Sequence, residues 1–164
     1  MLQHAREFHE AGIPFVFDPG QGLPMFNGEE LMSFIHQADY VAANDYEAKL
    51  LQERTGKSIE ELSRLVKAVV VTQGAHGSLV VVNGKSETIP SVKAAQVVDP
   101  TGCGDAYRAG LLYGIANDLD WPTTGRLASL LGSIKIAQRG AQNHQFTREE
   151  IGRRFREAFG TAPW

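Results

Sequence analysis

The chain has a single cysteine, Cys103, so no disulfide can form within it. Long apolar runs are also missing. No stretch approaches the ~20 residues that a membrane-spanning helix requires, and Met1-Leu2-Gln3-His4-Ala5-Arg6-Glu7 lacks the apolar core of a signal peptide. The expectation is a cytoplasmic protein with no membrane role. Concentrated positive charge is a third absence. Lys and Arg number 16 against 19 Asp and Glu, giving a net charge of -3, and the basic residues are dispersed, so the sequence carries no electrostatic footprint for nucleic acid.

What is present suits a folded domain. The 164 residues are 43% hydrophobic and 21% charged, enough to bury a core, and are read as one domain over 1–164. The segment up to Glu10 reads as a helix stopped by Gly12, followed by a short strand, Ile13 to Phe17, and a turn at Asp18-Pro19-Gly20. Leu31, Phe34 and Ile35 recur at helical spacing between Gly28 and Ala38, and Tyr40 to Ala43 reads as a strand. A helix over Asp45–Arg54 closes at Gly56, and Ser58 with Glu61 forms a capping box for a helix through Val66. Ala68 to Val71 is apolar on both faces, as expected of a central parallel strand. Leu79 to Val82 reads as its neighbour, with Glu87 to Val98 extended. Helices are expected from near Asp105 to Asn117, from Gly125 to about Gln138, and after Thr147, where Thr147 and Glu150 form another capping box. The alternation predicts an open, mostly parallel α/β sheet flanked by helices, whose ligands bind beyond the carboxyl ends of the strands.

Two phosphate signatures fail on context. Gly56-Lys57-Ser58 resembles the end of a Walker A loop, but Leu51 stands where the first glycine belongs. Gly102-Cys103-Gly104 lacks the third glycine of a dinucleotide fingerprint, because Tyr107 holds that position.

Asp99-Pro100-Thr101-Gly102-Cys103-Gly104-Asp105 is the most specific segment. Small residues place consecutive amides ahead of a helix, a geometry that can hold a phosphate, and a carboxylate at its end can take a proton from an attacking hydroxyl. The spacing alone equally allows Asp105 to be a helix cap and the glycines a turn. Cys103 could be an activated thiol or a small packing residue, and no histidine partner is evident for the former.

Asp99 to Gly114 is similar to the second signature of the ribokinase-like, or PfkB, carbohydrate and nucleoside kinases. The resemblance implies that Asp105 is the catalytic base and that the Gly102, Cys103 and Gly104 amides form an anion hole. It also implies a potassium site drawing on Asp99, Thr101 and the Gly140 region. Asn44-Asp45-Tyr46-Glu47 resembles the family's Asn-x-x-Glu motif, with Asn44 facing the ATP phosphates and Glu47 holding magnesium through water; by itself the pattern is an ordinary helix cap. Thr72-Gln73-Gly74-Ala75-His76-Gly77 resembles the family's nucleotide loop, implying ATP contacts at Thr72, Gly74 and Gly77, with hairpin glycines as the alternative. The segment from Gly125 to Gln138 resembles the wall of the adenine pocket. Asp18, Asn44, Thr72, Asp99 and Asp105 occur in family order.

Asp18 to Phe26 ends in Pro24-Met25-Phe26, which looks more like the adenosine kinase branch than the sugar kinases. The expected reaction is therefore phosphorylation of adenosine, or a related nucleoside, at its 5′-hydroxyl, with a sugar or other small metabolite as the alternative acceptor. Family members are about twice this length, and the N-terminal strands, lid and acceptor-gripping carboxylate have no counterpart in these residues. That shortfall leads to the expectation of self-association or pairing with a missing N-terminal half, and leaves a non-catalytic nucleotide-binding or assembly module as a reading of another class.

Overall fold

The computed structural model describes residues 1–164, which divide into two compact units: Met1–Gln73 with Leu79–Glu87, and Gly74–Ser78 with Thr88–Trp164. In the first unit, α1 (Leu2–Glu10), β1 (Val16–Phe17) and a 3-10 helix (Gly20–Met25) lead to α2 (Gly28–Gln37), β2 (Tyr40–Asn44), α3 (Asp45–Thr55), α4 (Ile59–Leu62) and β3 (Ala68–Thr72). The strands β4 (Ser78–Val82) and β5 (Lys85–Ile89) complete a five-stranded sheet of order β1-β2-β3-β4-β5. Both β1 with β2 and β2 with β3 pair in parallel. The last two strands are joined by Asn83 and Gly84, both at positive φ (49° and 77°), the conformation that a two-residue hairpin turn demands.

The apolar alternation explains the burial. Val41, Ala43, Val69, Val71 and Val81 share a core with Leu31, Phe34 and Ile35 of α2, Leu51 of α3 and Leu62 of α4. Phe34 stacks on Phe17 at 4.6 Å and meets Phe26 edge-on at 5.1 Å, which seats the 3-10 segment on that core. The alternate residues Ala42, Ala68, Val70 and Val80 of the inner strands are buried as well, and the sheet is mixed, mostly parallel and flanked by helices.

The second unit holds α5 (Cys103–Ala116), α6 (Trp121–Ile136) and α7 (Arg148–Phe159), packed through Ala106, Leu127, Leu131, Ile134, Ile151 and Phe155. A Cβ at Gly110 would lie 2.6 Å from the Ala128 Cα, so α5 and α6 approach backbone to backbone.

Several boundaries differ from the sequence reading. The helix after Ser58 stops at Leu62 rather than Val66, because turn bonds of the Leu65 N–H to Leu62 O type replace helical ones. Of the stretch Glu87 to Val98 read as extended, only Glu87 to Ile89 is strand, as the end of β5; residues 90–98 have no regular form. The penultimate helix starts four residues earlier than expected, at Trp121, since Asp120 caps it by accepting the Thr123 amide at 2.7 Å. Thr147 caps α7, but Glu150 does not return the bond; its carboxylate pairs with Arg154 at 2.6 Å instead.

Candidate functional site

Parallel pairing in sequential order turns three distant motifs into neighbours. Asp18 follows β1, Asn44 ends β2 and Thr72 ends β3, and Asn44 is the register partner of Thr72. The Asn44 side chain accepts the Glu47 amide at 2.7 Å, and the Glu47 carboxylate accepts the Asn44 amide at 2.9 Å. This reciprocal cap occupies Asn44 Oδ1 and leaves the Nδ2 group outside the cap. Glu47 is 7% exposed. Its carboxylate stands alone, no group of three His, Cys, Asp or Glu residues being arranged to hold a metal. Such an arrangement fits magnesium, which keeps most of its waters, better than a dehydrated ion needing a protein cage. The Thr72 hydroxyl lies 3.5 Å from the Ala43 carbonyl.

The glycines of the following loop differ from each other. At Gly74, φ is +58° and a Cβ would meet nothing within 4 Å; at Gly77, φ is +93° and a Cβ would lie 2.1 Å from the Ile89 carbonyl oxygen. The second glycine is therefore required by packing within its own unit.

In the second unit, Gly102 at φ +80° is the N-cap of α5, and a Cβ there would be 3.0 Å from Ala141. The helix begins at Cys103, two residues earlier than expected. Asp105 consequently lies inside the first turn, exposed, and no side chain caps this helix, so the reading of Asp105 as a helix cap is set aside. The Cys103 amide donates to Pro100 O at 3.0 Å and is already engaged in the turn. Of the amides of the expected anion hole, Cys103's thus has a partner in the turn, while Gly104 and Asp105 keep the first-turn N–H groups that have no helical carbonyl one turn back. Burial pushes the Cys103 thiol up, the opposite of what a nucleophile needs.

Asp99, Thr101 and Gly140 are brought together, but by hydrogen bonds between them. Asp99 Oδ1 accepts the Thr101 amide at 2.9 Å and Oδ2 accepts the Gly140 amide at 2.7 Å. These two amides, first Thr101 and then Gly140, hold the Asp99 carboxyl down at about 2. The Asp99 carbonyl oxygen accepts from Lys135 Nζ at 2.8 Å, and Gln138 O accepts from the same Nζ at 3.1 Å. Such a set does not fit an added alkali cation: N–H groups occupy both carboxylate oxygens, and an amino group already sits on the loop carbonyl.

Three residues of consequence went unread in the sequence. Lys135 is 0% exposed, although Leu127, Leu131 and Lys135 follow one another at helical spacing; a charge on an apolar stripe was the available signal. Arg108 folds back over Gly104, where a Cβ would meet its Nη1 at 2.6 Å, as one helical turn allows. Tyr107 shares a buried 2.6 Å hydrogen bond with Ser78, a pairing 29 residues apart that no local pattern announces. No helix is long and apolar enough to cross a membrane.

Residues 1–148 match the model of the pfkB family of carbohydrate kinases. A nucleoside kinase of Methanocaldococcus jannaschii is 32% identical over 135 residues, covering 82% of this chain and 45% of the relative. Among solved structures, the Burkholderia thailandensis nucleoside kinase in complex with inosine superposes with a TM-score of 0.97 at 52% identity, over 99% of this chain and 54% of that one. Adenosine kinase from Sinorhizobium meliloti aligns with a TM-score of 0.78 at 28% identity, over 96% of this chain and 48% of that one. The chain thus spans about half the length of the relatives it matches.

Proposed function

Because the chain belongs to the pfkB family of carbohydrate kinases, we propose that it is the ATP-binding and catalytic portion of a nucleoside kinase that transfers the γ-phosphate of ATP to the 5′-hydroxyl of a purine nucleoside. The observation that carries this reading is Asp105: an exposed carboxylate in the first turn of α5, relieved of any capping duty, beside first-turn amides. Asp105 accepts the hydroxyl proton as the acceptor oxygen attacks. The Gly104 and Asp105 amides, with the α5 N-terminus behind them, hold the charge that spreads over the transferring phosphoryl group. Gly102 supports this role through its left-handed turn. Cys103 contributes by packing.

Asn44, Thr72 and Gly74 contact the nucleotide, while Gly77 shapes the loop. Magnesium, arriving with ATP, supplies neutralisation of the phosphates, and Glu47 would hold it through water. Adenosine and inosine are the acceptors to try first, since the relative at 52% identity is a nucleoside kinase seen with inosine. Acceptor binding draws on a second half that corresponds to the part of the relatives this chain does not span; β1 lies at the edge of the sheet and Ile13, just before it, is 51% exposed, which suits pairing with such a half.

The test, on protein in which both halves are present, is transfer of labelled phosphate from ATP to adenosine, inosine, ribose and fructose, with ATP binding followed by calorimetry. Nucleoside 5′-monophosphate is the expected product. Asp105→Asn is expected to keep ATP affinity and lower turnover by roughly 10²–10⁴-fold; near-normal turnover removes Asp105 from its role. Labelled sugar in place of nucleotide would move the acceptor class. ATP binding without transfer to any acceptor would favour a non-catalytic module.

A further inference from the structure

Lys135 is the penultimate residue of α6 and one of the largest fully buried side chains in the protein. Its position continues the apolar stripe of Leu127 and Leu131, so the fold draws a charged side chain inward where leucine would satisfy the pattern. A buried amino group is tolerated only where oxygens replace its water. Two carbonyls do so, Asp99 O at 2.8 Å and Gln138 O at 3.1 Å. Both belong to a closed set of contacts that ties the loop before α5 to the end of α6. The Val98 and Asp99 amides donate to Ile136 O at 2.9 and 3.1 Å, and the Gly140 amide donates to Asp99 Oδ2 at 2.7 Å. The C-terminal end of α6, where carbonyls are unpaired and the helix dipole is negative, adds its own preference for a cation at this point.

Backbone carbonyls converging on one monovalent charge are the means by which proteins dehydrate and hold potassium. An ammonium group satisfies the same carbonyls by donating to them. We propose that Lys135 is a tethered monovalent cation: its side chain occupies the position under the Asp99–Asp105 loop that an alkali ion would otherwise fill, and keeps the loop assembled without added potassium. Lys135 is a positioning residue, acting on the loop through Asp99 and touching no substrate. The inference concerns the loop's order and cation binding, so it is tested without catalysis, and its failure would leave the kinase reading standing.

The experiment compares thermal midpoints in potassium, sodium and tetramethylammonium chloride at equal ionic strength. For the unaltered chain the midpoint is expected to be the same in all three. Lys135→Ala is expected to lower the midpoint by several degrees in tetramethylammonium and to regain part of the loss in potassium, saturably; Lys135→Met, which fills the space with an apolar chain, is expected to gain nothing from potassium. A saturable rise of the unaltered chain's midpoint in potassium would overturn the proposal. So would a Lys135→Ala chain that loses stability and recovers it with no monovalent ion, since that is the behaviour of a merely structural lysine. Should Lys135→Ala fail to fold, crystals of the unaltered chain soaked in thallium(I) decide: anomalous density within the Asp99–Gly140 contacts overturns the proposal, and its absence there supports it.

Discussion

Asn27 and Asn44 open α2 and α3 in the same way. Each side-chain oxygen accepts the amide three residues on, at 2.9 and 2.7 Å, and each partner glutamate returns a bond to the asparagine's own amide at 2.9 Å. The surroundings differ. Asn27 follows a 3-10 segment, and its helix start rests on the far end of α3, where a Cβ at Gly28 would meet the Arg54 carbonyl oxygen at 2.1 Å. Asn44 is the last residue of β2, level with Thr72 of β3, and its glutamate is buried. An identical local pattern thus fixes an identical helix start, and the position at the carboxyl end of a parallel strand is what adds a reason for chemistry.

The loop after β3 offers the sharpest way to break that contrast, because its two glycines separate a packing reason from an open position. Gly77→Ala would place a Cβ against the Ile89 carbonyl oxygen and the Ser91 amide at a strained φ, so a loss of roughly 3 kcal/mol or more is expected in urea unfolding. Gly74→Ala meets only the backbone penalty of a left-handed residue, about 1–2 kcal/mol, and is expected to weaken ATP binding more than its stability loss would suggest. Equal stability losses would mean that the tight contact at Gly77 relaxes.

Tyr107 and Ser78 are the opposite of a capping box, a polar pair joined across 29 residues and buried. Tyr107→Phe leaves the Ser78 hydroxyl without its partner and is expected to cost about 1–3 kcal/mol near neutral pH. Burial also raises the Tyr107 phenol above its ordinary value. The stability tied to the protonated phenol is therefore present below the unfolded value of about 10 and lost as pH rises through the folded one. The gap between the unaltered chain and Tyr107→Phe should narrow above pH ~10, as read from thermal midpoints along an alkaline series.

The same division explains what could be read before the fold was seen. The apolar run at Ala68–Val71, the helical spacing of Leu31, Phe34 and Ile35, and the Ser58–Glu61 box are local statements, and the structure agrees with each. The order Asp18, Asn44, Thr72 was legible as motifs, and the parallel register makes them neighbours. Misread features depended on distant contacts. The end of the extended stretch looked like a strand, but the Val98 and Asp99 amides are spent on the end of α6, and Asp105 looked like a helix start until Gly102 took the N-cap. Lys135 escaped notice because a lysine near a helix C-terminus is ordinary on a surface, and only tertiary packing turns it inward.

The smallest effects test the opening pair directly. Glutamine keeps the carbonyl oxygen that a capping box needs and removes the charge, so Glu30→Gln and Glu47→Gln should both retain their helix starts. Calorimetric titration with magnesium ATP is expected to show about tenfold weaker binding for Glu47→Gln, equivalent to about 1.4 kcal/mol, no change for Glu30→Gln, and no difference between the two when magnesium is omitted. Equal affinities for both variants in magnesium would reduce Glu47 to a cap. Asn27→Ala and Asn44→Ala remove the side-chain acceptor itself, and each is expected to lower stability by about 1 kcal/mol, the ordinary worth of an N-cap. If position at the strand end is what distinguishes Asn44, the two losses should match in unfolding while ATP affinity falls for Asn44→Ala alone; a matching fall for Asn27→Ala would show that helix order, rather than a contact from the Asn44 amide, is what the nucleotide senses.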